Sequence, residues 1–150
     1  MKYFTFEWWL SGGDNGVASS KYFDYIESIN NDIYPKLLDF IKNHSLHDSN
    51  LETIESDFSV GKTVIVLNGW DPDFQTKRQY KLELNDVTCF SFVGKISGDL
   101  LEDSSGFGDF GYYEYELLED ANSEIRMLFS SGVEITIRFC QFDFSFQVKK

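Results

Sequence analysis

The chain has 150 residues, a formal net charge of −12 and 42% apolar residues, including 15 Phe, 8 Tyr and 3 Trp. This length is typical of one domain spanning residues 1–150, and the apolar content is sufficient for a packed core. A surface this negative repels phosphate backbones and anionic lipid and attracts basic partners. We therefore expect no direct binding to nucleic acid or to membranes.

The N-terminal residues 1–13 lack the basic region, the apolar stretch and the cleavage site of a signal peptide. No segment approaches the roughly 18 consecutive apolar residues of a membrane-spanning helix. We therefore expect a cytoplasmic protein. Cys89 and Cys140 both lie in apolar, strand-like runs, which predicts buried free thiols. A disulfide between neighbouring strands is the alternative, although a domain of this size does not need one.

The first third of the chain predicts a strand followed by one long helix. Residues 2–10 are rich in aromatic side chains that favour strands. Ser19 or Ser20 suits the N-cap of a helix that continues to about Asn43, with apolar residues at steps of three and four. Pro35 removes a backbone donor, so we expect a kink or a split there.

The rest of the chain predicts antiparallel strands. Alternating apolar and polar residues, or continuous apolar runs, indicate strands at residues 51–58, 62–68, 78–84 and 87–93. Residues 111–146 predict three more strands, and the apolar parity changes near Cys140 and Gln141, where we expect a bulge or bend. The predicted fold is α+β: one long N-terminal helix packed on a largely antiparallel sheet, a meander of about seven to eight strands.

Two motifs suggest chemistry but lack the context that the chemistry needs. Residues 106–111 spell the dinucleotide fingerprint G-x-G-x-x-G, but a predicted strand follows them instead of a helix. His44, His47 and Asp48 have the spacing of metal ligands at a helix end, but the sequence specifies no further ligand. Neither histidine has an identifiable nucleophile partner. We therefore expect no metal, no cofactor and no catalytic residue.

The distribution of acidic residues is the strongest pointer to function. Residues 96–125 contain nine acids and no Lys or Arg. A solvated surface is one interpretation, and a patch that recruits a basic partner is the other. Aromatic residues beside the acids suit such an interface, although they suit a core equally well. The predicted partner-binding residues are Trp70, Asp71, Asp73, Asp99, Glu102, Asp103, Phe107, Asp109, Tyr112 and Glu114.

Three segments form a characteristic set: residues 46–51, which contain an LHD turn, the segment YKLELNDV at 80–87, and residues 113–132. Together they resemble small acidic bacterial immunity proteins, which neutralise polymorphic or contact-dependent growth-inhibition toxins. The resemblance implies a helix leading into an antiparallel meander. It also implies a non-enzymatic cytoplasmic antidote that occludes the active site of a basic toxin domain, such as a nuclease. We expect residues 99–109 and neighbouring strand edges to bind the toxin, and the chain to be a monomer or a weak homodimer.

Two alternatives remain open. A small-ligand-binding domain would use Trp8, Trp9, Trp70 and Tyr residues to line a pocket, and a deep pocket with convergent polar groups would favour it. A flat or convex acidic surface would favour the inhibitor. A hydrolase would require His44, His47 or Asp48 to converge in a cleft.

Overall fold

A sheet of eight antiparallel strands and three short helices makes up the part of the chain that the computed structural model describes, residues 1–94, 106–119 and 122–149. The helices are α1 (Phe6–Leu10), α2 (Val17–Ser28) and α3 (Pro35–Asn43). The strands are β1 (Ser49–Asp57), β2 (Lys62–Trp70), β3 (Lys77–Asn85), β4 (Cys89–Val93), β5 (Asp109–Leu117), β6 (Ser123–Phe129), β7 (Glu134–Phe139) and β8 (Gln141–Val148). No helix among these residues has the length and apolar character needed to cross a membrane.

The predicted long N-terminal helix is wrong, and with it the predicted fold class. The protein is mostly sheet, and the helical region consists of α2 and α3 with a turn between them. Helix α2 ends at Ser28, and Pro35 occupies the first turn of α3, where a missing backbone donor costs nothing. The expected split at Pro35 is therefore confirmed.

The predicted strand over residues 2–10 is also wrong. Residues 6–10 form α1, and the Thr5 side chain caps this helix by accepting a hydrogen bond from the Trp8 backbone N–H at 3.2 Å. Aromatic residues have a high strand propensity, but contacts with distant parts of the fold decide the conformation of this segment.

The sheet is not a simple meander. Its strand order is β4-β7-β6-β5-β1-β2-β3-β8. The three consecutive strands predicted at residues 111–146 exist as β5, β6 and β7, and Glu124 pairs with Arg138 across the β6–β7 register. By contrast, β1 joins β5 only through Ser49 and Asn50, which face Phe110 and Asp109. The pairing that connects the two halves of the sheet is therefore short.

The sheet is strongly curled. Strand β7 lies second from one edge and β8 forms the opposite edge, yet Cys140 alone connects them. Six strand spacings in a flat sheet would span about 29 Å, whereas two peptide units span about 7 Å. The sheet must therefore bend back on itself, and the bend expected near Cys140 is confirmed. Cys89 and Cys140 are both free and half-buried.

The concave face of the curled sheet holds the apolar core. In register across β5, β6 and β7 lie Tyr115, Ile125 and Ile137, all fully buried. Strands β2, β3 and β8 contribute a second set of buried side chains, Ile65, Leu67, Tyr80, Leu82, Leu84 and Phe142. Phe40 of α3 packs against Phe142 and Phe144, with ring centroids 5.4 and 5.2 Å apart. Helix α3 therefore covers the side of the core next to β8.

The N-terminal segment covers the convex face of β5, β6 and β7. Glu114 accepts hydrogen bonds there from the backbone N–H groups of Lys2, Tyr3 and Phe4, at 2.7, 2.5 and 2.7 Å. The side chain of Trp9 lies against Gly111. Both faces of this half of the sheet are therefore buried, which explains why nearly every residue of β6 is inaccessible.

Candidate functional site

A cavity of about 430 Å³ lies between the helices and one edge of β5. Its size is within the usual range of small-molecule pockets, about 300–1,000 Å³. The walls are mostly apolar and aromatic: Phe4, Tyr22, Phe23, Ile41, Leu46, Pro72, Tyr112 and Tyr113. The polar residues that line it are Ser19, Lys42, Asn43, His44, Ser45 and His47.

The cavity exists because β1 and β5 separate early. Beyond the Ser49–Phe110 pair, β5 has no strand partner on that side among the described residues. Further along β5, two hydroxyl groups of α2 substitute for a strand. Tyr22 and Tyr25 accept hydrogen bonds from the backbone N–H groups of Tyr115 and Leu117, at 2.9 and 3.0 Å. The edge of β5 at residues 111–113 lies between the β1 pairing and these two tyrosines, and it borders the cavity.

His47 has a fixed orientation in the wall of the cavity. Its Nδ1 lies 2.7 Å from the carbonyl oxygen of Gly111, and because a carbonyl only accepts, Nδ1 must carry a proton. The other ring nitrogen, Nε2, lies 3.6 Å from the Asp48 carboxylate. His47 therefore presents Nε2 as an acceptor when neutral and as a donor when protonated.

His44 is surrounded by aromatic rings. Its ring lies 4.8 Å from Phe144 and 5.8 Å from Tyr80, both edge-on, and its Nδ1 is buried without a hydrogen-bond partner. Burial lowers the pKa of His44; the Asp39 carboxylate opposes this effect and the Arg78 cation adds to it. His44 is therefore a neutral imidazole near pH 7.

Two tyrosines of β5 complete the wall. Burial raises the pKa of Tyr113, and it also raises the pKa of Tyr112, with a further contribution from the negative charge of Asp48. Both phenols therefore stay protonated at physiological pH. The Tyr112 ring contacts Trp8, Trp9 and His47 at centroid distances of 5.1–5.3 Å, so the N-terminal segment supports this wall from behind.

Three carboxylates form what we call the acidic rim: Asp48, Asp73 and Asp109. Asp48 follows His47 and Asp73 follows Pro72, and both of those neighbours line the cavity. Asp109 begins β5 and accepts a hydrogen bond from the Asn50 side chain at 2.7 Å. All three are exposed, and no Lys or Arg in the described ranges forms an ion pair with them. The segments next to the cavity lining therefore carry negative charge that no Lys or Arg in the described ranges neutralises.

Several predicted partner-binding residues lie at the same end of the sheet. Trp70 is the last residue of β2 and Asp71 follows it, and Gly69 of the same strand contacts Ser49 at the β1–β5 junction. Lys77 lies over the Trp70 ring at 5.3 Å, and Asp71 accepts backbone hydrogen bonds from its own turn. Hydrogen bonds from the Gln75 backbone, followed by those from Thr76, lower the pKa of Asp71. The Asp71 carboxylate therefore stabilises its own turn, and it also adds negative charge near the acidic rim.

Other predicted partner-binding residues occupy different positions. Phe107 is half-buried against Phe129, with ring centroids 5.3 Å apart, so it contributes to packing. Glu114 is 1% exposed, and its carboxylate is engaged by the N-terminal backbone, so it is not available to a partner at the surface. Asp99, Glu102 and Asp103 lie outside the described residues.

The tryptophans expected to line a ligand pocket are not among the residues lining the cavity. The wall uses Phe23 and Ile41 of the helices and the loop at residues 44–47 instead. The spacing of His44 and His47 is visible in the sequence. No local pattern predicts that Phe23, Pro72 and Tyr112 lie together, because they are far apart in the chain.

The arrangement of apolar walls and a few polar groups is one that can bind a ligand. No hydrogen bond joins either imidazole to a serine hydroxyl within residues 1–94, 106–119 and 122–149. In the same residues no group of three or more His, Cys, Asp or Glu side chains is arranged to hold a metal ion. The chain matches no known family model, no curated protein and no solved structure.

Proposed function

We propose that the protein is a non-enzymatic, cytoplasmic immunity protein that binds a basic toxin domain and occludes its active site. The observation that carries this proposal is the acidic rim, which presents three exposed carboxylates that form no ion pair with a Lys or Arg of the described residues. Uncompensated charge of one sign attracts a partner of the opposite sign and accelerates association. The net charge of −12 acts in the same direction.

The edge of β1 extends this acidic surface. On the side away from β2, residues 51–57 have no strand partner among the described residues. Glu52, Glu55 and Asp57 are exposed along this strand. A strand edge offers backbone donors and acceptors, and acidic side chains prevent it from pairing indiscriminately. A basic strand of a toxin domain would be complementary to this edge in both backbone and charge.

The test compares two variants with the same change in charge. In the first, Asp48, Asp73 and Asp109 become Asn, which retains the side-chain shape and tolerates the positive φ of 59° at Asp48. In the second, the exposed residues Asp24, Asp32 and Asp86 become Asn. Extracts of the host are passed over each immobilised protein at low salt, bound protein is eluted by increasing salt, and its activity is assayed with and without the chain.

The expected result is one basic protein, bound in stoichiometric amounts by the native chain and by the second variant, whose activity the chain inhibits. Exposed ion pairs contribute roughly 0.2–1 kcal/mol each, so the first variant should bind about 3- to 100-fold more weakly. Equal binding by both variants, or binding without inhibition, would contradict the proposal.

A second candidate function is the binding of a small ligand, which the cavity favours. It combines a suitable volume, apolar and aromatic walls and a few polar groups. This candidate also needs no enzymatic activity, and it is compatible with a monomer. A weak homodimer through the β1 edge is the oligomeric alternative, which sedimentation at several protein concentrations would detect.

A further inference from the structure

The residues that line the cavity differ in charge from the rest of the chain. The sequence contains 25 acidic and 13 basic residues, yet none of the described residues that line the cavity is a carboxylate. Its ionisable or strongly polar side chains are Lys42, Asn43, His44 and His47, to which the hydroxyl groups of Ser19, Ser45 and the tyrosines are added. Most of these groups are hydrogen-bond donors or can act as donors.

The donors are arranged around one part of the wall. Lys42, Asn43 and His44 are consecutive at the end of α3, and Ser45 and His47 follow in the next turns. Lys42 also forms an ion pair with Glu27 at 2.6 Å, so its charge is partly balanced before any ligand arrives. This wall therefore favours an acceptor group and does not require a full negative charge.

The opposite part of the wall is flat and aromatic. Phe4 and Tyr112 stack with an interplanar angle of 22°, and Tyr22 and Phe23 lie beside them. Phe23 is 49% exposed, although it lines the cavity, so its ring has unoccupied contact area. Aromatic side chains contribute the most when they pack against another flat apolar group.

We infer that the cavity binds a small molecule with a flat, apolar body and one hydrogen-bond-accepting group, a carboxamide or a carboxylate. This inference rests on the second candidate function above, and it defines the chemical class of the ligand. The acceptor lies against residues 42–47, and the flat body lies against the aromatic wall. A cationic group is disfavoured because it would meet the charge of Lys42, and none of the described residues that line the cavity is a carboxylate.

The test uses three probes of nearly equal shape that differ in their polar group: 2-naphthamide, 2-naphthoate and 2-naphthamidine. Each is titrated into the full chain while the ring resonances of His44, His47 and Tyr112 are followed by NMR. We expect saturable shifts, and the carboxamide or the carboxylate should bind at least tenfold more tightly than the amidine. For probes of this size a Kd on the order of 0.1 mM is expected.

Matched variants locate the binding. Phe23→Ala should weaken binding of the tightest probe about tenfold, whereas Phe58→Ala, which removes a 72% exposed ring outside the cavity, should leave it unchanged. Lys42→Met should weaken the carboxylate more than the carboxamide. Lys36→Met, on the same helix but paired with Asp143 at 2.5 Å and not lining the cavity, should affect neither.

The outcomes separate the inference from the function on which it rests. If the amidine binds the most tightly and Phe23→Ala weakens it, the cavity is a ligand site but the proposed ligand class is wrong. If none of the three probes shifts the cavity resonances, or if Phe58→Ala weakens binding as much as Phe23→Ala, both the ligand class and the ligand-binding function are overturned.

Discussion

Gly111 lies directly beneath the indole ring of Trp9, so closely that a Cβ atom added to Gly111 would be 2.3 Å from two ring carbons. The backbone of Gly111 is not in the left-handed region, so this position requires glycine for space and not for φ. The carbonyl of the same residue accepts the hydrogen bond of His47. Gly111 therefore contacts both Trp9 of α1 and His47 in the wall of the cavity.

Replacing Gly111 by Ala should destabilise the protein by about 1–3 kcal/mol, because the indole ring must move out of a packed position. Chemical denaturation measures the free energy of unfolding, and tryptophan fluorescence reports the displaced ring. The double variant Gly111→Ala, Trp9→Leu removes the clash and should be less destabilised than the sum of the single variants. Simple additivity would show that the ring is not held against Gly111.

Glu114 should be essential for attaching the N-terminal segment. Glu114→Ala leaves three backbone donors without their acceptor, and we expect a loss of about 3–5 kcal/mol in the free energy of unfolding. Glu114→Gln should cost less, because one amide oxygen still accepts from Tyr3 and Phe4.

The matched control for this prediction is Glu119→Gln, an exposed glutamate just beyond the end of β5 that should change stability by less than about 0.5 kcal/mol. Limited proteolysis provides an independent measurement, because release of residues 1–4 should expose them to cleavage. A Glu114→Ala protein as stable as the control would contradict the proposed attachment.

The sequence indicated the strands with clear alternation and failed where distant contacts decide the structure. Strands β2, β3, β6 and β7 were predicted because a half-buried strand has a period of two residues. The conformation of α1 was not predictable, because its aromatic residues favour strands in isolation and are held by Gly111 and Tyr112. The strand order depends on the β1–β5 pairing, which no local pattern reveals.

The candidate site was predictable only in part, for the same reason. Acidic residues and neighbouring aromatics indicated the end of the sheet where the rim lies. Sequence spacing placed Glu114 with those acids, although its partners are backbone groups more than 100 positions away. The cavity itself combines α2, α3, β5 and Pro72, and the short length of the β1–β5 pairing creates it.

The pH dependence of stability should contain a contribution from His44. Its pKa is lowered by burial, so the unfolded chain binds the proton more readily than the folded protein does. The stabilisation is fully present above pH 6.5, the pKa of His44 in the unfolded chain. It is lost as the pH falls from 6.5 towards the pKa of His44 in the folded protein.

Denaturation of the native chain and of His44→Gln between pH 5 and pH 8 measures this contribution. In a plot of the free energy of unfolding against pH, His44→Gln should lack the part of the slope that His44 contributes. A His47→Gln control should retain that part of the slope. The charges that act on His44 are Asp39 and Arg78, and both are unchanged in the two variants. Identical slopes in the native chain and in His44→Gln would show that His44 does not titrate differently on folding.

Glu83 should titrate at very low pH. Hydrogen bonds from Lys62 and then Lys81 lower the pKa of Glu83 to about 2. The stabilisation that this carboxylate provides is present above pH 4.5 and is lost as the pH falls through about 2. Because Glu83 and both lysines are partly exposed, solvent screens the ion pairs and their contribution to stability is small.

An NMR titration of the Glu83 carboxyl carbon measures its pKa directly. Lys62→Met and Lys81→Met should each raise the pKa of Glu83 towards 4.5, and Lys62→Met should have the larger effect, since that lysine makes the larger contribution. Lys21→Met, which changes an exposed lysine on α2, serves as the control. An unchanged pKa in Lys62→Met would show that this ion pair does not form in solution.

The two residue pairs that join β1 to β5 have a mechanical consequence. Ser49, Asn50, Asp109 and Phe110 form the only strand pairing between the two halves of the sheet in the described parts of the chain. Neighbouring strands elsewhere in the sheet share at least five pairs. Thermal motion should therefore separate the two halves of the sheet first at this junction, because the fewest backbone hydrogen bonds hold it there. Because Gly111 and His47 lie beside the junction, the depth of the cavity should vary with temperature more than any other dimension of the protein.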